Sequence, residues 1–101
     1  MDYSLEFDAA TGCHLFRGEL GIYTASSVYA AWMQLLRTDG PHSIDLAGVT
    51  EIDTAGLQLI LLAKRRAGSS VRFCNASEPV RDAVRLIHLE SLLEPSAVAS
   101  L

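Results

Sequence analysis

Cysteine is scarce in this 101-residue chain: Cys13 and Cys74 stand 61 residues apart. With no C-x-x-C and no Cys/His spacing, neither a zinc site nor a redox motif is indicated, and two buried free thiols are expected. His14, His42 and His88 fall into no H-x-x-x-H or comparable ligand spacing, so no metal is expected. Neither a Walker loop nor a G-x-G-x-x-G is present, and no other cofactor is expected. The serines lack a G-x-S-x-G context and have no assignable His and acid partners, so the chain does not read as an enzyme. Positive charge is also short. Eight Lys and Arg against 12 Asp and Glu leave a net charge of −4, without the broad basic field that binds phosphate backbones, so nucleic acid is not an expected partner. Long apolar runs are missing: Leu57 to Ala63, interrupted by Gln58, falls far below the roughly 20 residues of a membrane span. The start, Met1-Asp2-Tyr3-Ser4-Leu5-Glu6, shows no secretory signal, and a cytoplasmic location without membrane insertion is expected.

What is present is the material of one folded domain, residues 1–101: half the chain is hydrophobic against 20% charged. Tyr3 to Phe7 and His14 to Leu20 have strand character and flank Asp8-Ala9-Ala10-Thr11-Gly12, which supplies turn geometry, so a β-hairpin opens the chain. Thr24 can cap a helix whose apolar positions Val28, Ala31, Trp32, Leu35 and Leu36 fall on one face, and Asp39-Gly40-Pro41 ends it. Ser43 to Ala47 reads as a strand that stays extended to Ile52. From Thr54 to about Arg66 a second helix carries Leu57, Leu59, Ile60, Leu61, Leu62 and Ala63. That is too apolar for one wet and one dry side, so either the helix is deeply buried or part of its outer face meets a partner. Lys64, Arg65 and Arg66 suit the negative end of its dipole, and Gly68 closes it. Val71 to Cys74 gives a strand, and Ser77-Glu78-Pro79 opens a third helix with the stripe Val80, Ala83, Val84, Ile87. Trp32 and Phe73 are expected in the core. Ser91 to Leu101 is expected to begin with a short strand and then fray, or to form a short strand and helix. The order predicts an α/β layer fold: a mainly parallel, mixed sheet with an N-terminal hairpin and three to four helices packed on it.

One stretch is more specific. Ile44-Asp45-Leu46 is an apolar-Asp-Leu strand, followed by a short link and then Asp53-Thr54-Ala55-Gly56 leading into the apolar helix. Asp53 can accept hydrogen bonds from first-turn N–H groups and suits the positive end of the helix dipole. The Thr54 hydroxyl stands beside that cap, where a phosphate is physically plausible and would add about −1.5 to −2 charges to any interface packed there. This pattern resembles the signature of the STAS family, the anti-sigma-factor antagonists and their relatives. The resemblance extends upstream to Gly18-Glu19-Leu20 and downstream to the strand and Pro-initiated helix at Val71 to Leu89.

The resemblance implies a non-enzymatic signalling module that binds a protein partner, an anti-sigma factor or histidine-kinase-like ATPase, or a chemotaxis-type signalling protein. The expected contacts are Asp53, Thr54, Ala55, Gly56 and Leu57, with Leu59 and Leu62 on the following helix and Tyr23 at the entrance of the first. Replacing Leu59 or Leu62 by Asp is expected to abolish binding without unfolding the domain. In partner-switching members the phosphorylated Ser directly precedes the Gly; here that residue is Ala55, which leaves Thr54 as the candidate acceptor. Many such members also carry Asp where this chain has Gly21. Relatives without the usual acceptor include accessory subunits of lipid-transporting ABC systems, whose Asp-Thr-Gly-Gly loop is close to this one, and a transporter ATPase is the alternative partner. An Asp-phosphorylated receiver domain is excluded, because Gly18 to Tyr23 offers only Glu19 where Mg²⁺ requires an acidic pair.

Overall fold

The computed structural model describes residues 2–93. Strands β1 (Tyr3–Asp8) and β2 (Cys13–Leu20) form the expected hairpin; α1 (Ala25–Leu35), β3 (His42–Ile52), α2 (Thr54–Ala67), β4 (Val71–Cys74) and α3 (Glu78–Leu86) follow. The sheet order is β1-β2-β3-β4. β1 runs antiparallel to β2, and the β2/β3 and β3/β4 pairs are parallel. Both parallel connections step the same way along the sheet, which with the right-handed hand usual for such crossovers puts α1 and α2 on one face; the two helices touch each other, and Val80 of α3 joins the same buried cluster. The mixed α/β sheet with its hairpin and helices is the architecture expected.

The core is built by alternation. Ile44, Leu46, Val71 and Phe73 are buried beneath the helices, while Arg72 on the opposite face is exposed. Trp32 of α1 is fully buried between Phe16, whose ring it meets edge-on at 6.0 Å, and Phe73 at 5.3 Å. Such pairs add to area burial. Among the described residues the indole Nε1 of Trp32 has no hydrogen-bond partner, so its packing has to offset the cost of a buried, unpaired donor.

Four expectations change. The first helix ends at Leu35, before Asp39-Gly40-Pro41, because Arg37 N bonds Gln34 O and Thr38 N bonds Leu35 O, short-range turns that tighten the chain out of the helix. Thr24 precedes α1 without capping it through its side chain; the hydroxyl donates to Glu19 O at 2.9 Å and accepts from Gly21 N at 3.1 Å, closing the turn after β2 instead. The thiols are free but only half-buried; burial, then the neighbouring Cys13 and Asp45, push the Cys74 thiol up to about 11. The segment beginning at Ser91 opens in a 3₁₀ turn, Glu90–Leu92, and not in a strand; residues 94–101 lie outside the described residues. Among the described residues no helix is long and apolar enough to cross a membrane.

Candidate functional site

The candidate loop sits where the two parallel strands β2 and β3 end and the chain turns into α1 and α2. That edge of an α/β sheet gathers loops and helix N-termini, and sites concentrate there. Strand β2 reaches it through an irregularity. Its register against β3 shifts between Leu15 and Arg17 and again between Gly18 and Glu19, after which Glu19 and Leu20 pair with Glu51 and Ile52. Gly18 has φ +116°, and a Cβ there would lie 2.2 Å from Asp2 O, so the Gly-Glu-Leu segment requires its glycine.

Asp53 joins the two loops. In extended conformation ahead of α2, it accepts from Gly56 N through Oδ1 at 3.1 Å, the cap expected from sequence. Its Oδ2 accepts from Ile22 N at 3.0 Å, a bond across 31 residues that no local pattern announces. The N–H of Ile22 foremost, opposed by desolvation and helped by the N–H groups of Gly56 and Ala55, holds the carboxyl below its ordinary value. A Cβ on Gly21 would lie 2.8 Å from Oδ2, so the glycine leaves room for this carboxylate.

The depressed pKa has a direction in pH. A carboxyl whose folded pKa lies below its unfolded 3.8 stabilises the fold above that value, and the contribution is lost as pH falls through the folded pKa. Replacing Asp53 by Ala removes the cap and costs about 1 kcal/mol. Asp53→Asn keeps an acceptor but not the charge, and flattens the loss of stability below about pH 4. Urea melts of the three proteins across that range check both expectations.

Around this knot the surface is mixed. A cleft of about 200 Å³ is lined by Glu19, Leu20, Ile22, Tyr23, Glu51 and Asp53, which brings three carboxylates together. Tyr23 is 91% exposed and Ile22 69%, large apolar surface left uncovered beside the acids. Thr54 is exposed at the first position of α2.

A family model described as Mlab, STAS domain matches residues 14–94 of this chain. The chain belongs to the STAS family. Among solved structures, the anti-sigma factor antagonist SpoIIAA in its unphosphorylated form is similar, with a TM-score of 0.68 and 17% identity over 91% of this chain and 85% of that one. That likeness concerns the fold. No curated protein matches the sequence.

On this STAS scaffold the expected contact residues divide. Asp53, Thr54 and Tyr23 are exposed, and Ala55 and Leu57 are half-buried. Leu59 is a correction: at 4% exposure it is a core residue on the inner face of α2, and it presents nothing to a partner. Gly56 is likewise buried, its place explained by close approach to Leu20, not by contact. The uncovered apolar side of α2 is formed by Leu61 and Leu62, at 37% and 38%. The over-apolar helix is therefore not deeply buried on all sides: Ile60 and Ala63 lie in the core, and Leu61 and Leu62 are exposed. Ile22, Leu61, Glu19 and Glu51 join this surface without being expected as contacts; only Glu19 lies in a segment, Gly18-Glu19-Leu20, that carries the family resemblance.

Proposed function

We propose that this STAS protein is a non-enzymatic regulatory module that binds an anti-sigma factor or another histidine-kinase-like ATPase through the Asp53 loop, Tyr23 and the outer side of α2. The observation that carries this reading is the composite surface at the strand ends: exposed Ile22 and Tyr23, exposed Thr54, and a cleft with three carboxylates. Aromatic anchors with a charged rim are the usual anatomy of a protein-binding patch.

Thr54 is the gate in this reading. A phosphate there is tolerated by the helix N-terminus, so the fold survives, but it adds about −1.5 to −2 charges beside Glu19, Glu51 and Asp53. To keep its contact with Ile22 and Tyr23, a partner would have to strip water from that charged group, a cost that weakens binding. Capture from a lysate of the source cell, with wild type, Tyr23→Ala and Thr54→Glu in parallel, tests the proposal. A kinase-like ATPase held by the wild type and released by both variants is the expected result; retention by both variants overturns the surface assignment.

A second reading is favoured by the Asp-Thr-x-Gly loop together with the family description that matches. In it the chain is an accessory subunit of a lipid-transporting ABC system, and a transport ATPase is retained by Thr54→Glu as well as by the wild type. Independence from charge at position 54 separates the two readings.

A further inference from the structure

His14 and His42 are 28 positions apart in sequence, and the sheet makes them neighbours. His14 registers with Ile44 across the β2/β3 pair, so His42, two residues earlier on β3, projects to the same side one step along. Their ring centroids lie 6.0 Å apart, and Phe7 of β1 closes over the other side of His14 at 5.0 Å.

The geometry points to a two-imidazole site for a zinc-class divalent cation, with His14 and His42 as its protein ligands. A metal held 2.0–2.1 Å from one nitrogen of each ring puts the centroids about 5 Å apart at a tetrahedral angle and about 6 Å apart at a wider one. The observed centroid spacing of 6.0 Å falls at the wide end of that range. His42 also has the outer support that ligating histidines require. Its Nε2 lies 3.2 Å from Thr38 O and 3.1 Å from Thr38 Oγ1. A carbonyl only accepts, so the Nε2 proton is committed to that turn and Nδ1 keeps the lone pair, the arrangement in which a backbone carbonyl fixes tautomer and ring orientation for metal binding.

Among the described residues no group of three or more His, Cys, Asp or Glu side chains is placed to hold a metal. The chain supplies two ligands and solvent supplies the rest. Such a site is weaker than a structural zinc centre and open on one side. Its physical effect is to fasten β2 to the first turn of β3, and a cation bound only by the folded state raises the melting temperature. The sequence pattern offers no sign of this pair, because neither histidine has a local ligand spacing.

Calorimetric titration of the full chain with zinc chloride, in a buffer that does not chelate, tests the assignment. The wild type and His88→Gln are expected to bind a single equivalent, and His14→Gln and His42→Gln to lose affinity by at least about tenfold. Absence of binding by the wild type, or binding unchanged in either His14→Gln or His42→Gln, overturns it. A readout free of variants is the imidazole proton spectrum of the wild type. Zinc should shift the His14 and His42 resonances together at the same stoichiometry, and a shift confined to one of them, or to His88, overturns the assignment equally.

Discussion

Leu59→Asp is expected to unfold the domain, and Leu62→Asp to leave it folded but, on the proposed surface, unable to hold a partner. The two leucines are three residues apart on α2, but Leu59 is 4% exposed and Leu62 38%. At position 59 the substitution deletes a core side chain, worth about 2–5 kcal/mol. It also places a carboxyl group among Ile60, Ala63 and Val71, where an unpaired polar group costs on the order of a few kcal/mol more. Against the roughly 5–15 kcal/mol that holds a small domain together, this sum consumes most or all of the stability. At position 62 the carboxylate reaches water, and the cost falls to helix propensity, below about 1 kcal/mol, plus the apolar contact already shared with solvent. Circular dichroism melts separate the variants at once. Partner capture is then informative for Leu62→Asp alone, and a native-like Leu59→Asp would contradict the packing of α2.

Gly56→Ala is expected to destabilise the protein although propensity favours it. In an exposed helix the exchange gains about 1 kcal/mol. Here a Cβ on residue 56 would stand 2.0 Å from Leu20 O, 2.8 Å from Leu20 C and 2.9 Å from Ile52 Cγ1. Two of these are backbone atoms of β2, which cannot swing aside as a long side chain can. Relief requires α2 to move away from the strand end, and Leu20 O is also the acceptor for Asp53 N at 3.3 Å. The expected result is a lower urea midpoint with an unchanged m value, a loss of about 1–3 kcal/mol as for other overpacked sites, and weakened partner binding in the molecules that remain folded. An unchanged or higher midpoint would mean that the helix shifts at no cost.

The element order was legible because each helix carries its own 3.6-residue stripe and each strand its own punctuation. What stayed illegible was non-local or saturated. Leu59 to Ala63 is so uniformly apolar that periodicity cannot choose an inner face, and Leu59 and Leu62 are told apart only by the placement of the helix against the sheet. The stop at Asp39-Gly40-Pro41 is a strong signal, but it marks the far end of a linker; the helix yields earlier to the short-range turns after Leu35. Thr24 is a good cap residue in the abstract, and tertiary context turned its hydroxyl back toward β2. The Asp53 loop was legible as a cap, yet its bond to Ile22, like the approach of His14 to His42, exists only once β2 lies beside β3.

That bond gives the recognition surface an assembled character. One oxygen of Asp53 holds its own helix and the other holds the loop 31 residues upstream, so Tyr23 and Thr54 share a face through a single carboxylate. A linear fragment of either segment carries half of the epitope and none of its geometry. A partner at the proposed surface would read the finished tertiary structure, so copies of the chain in which the Asp53 bonds are broken are expected to escape it.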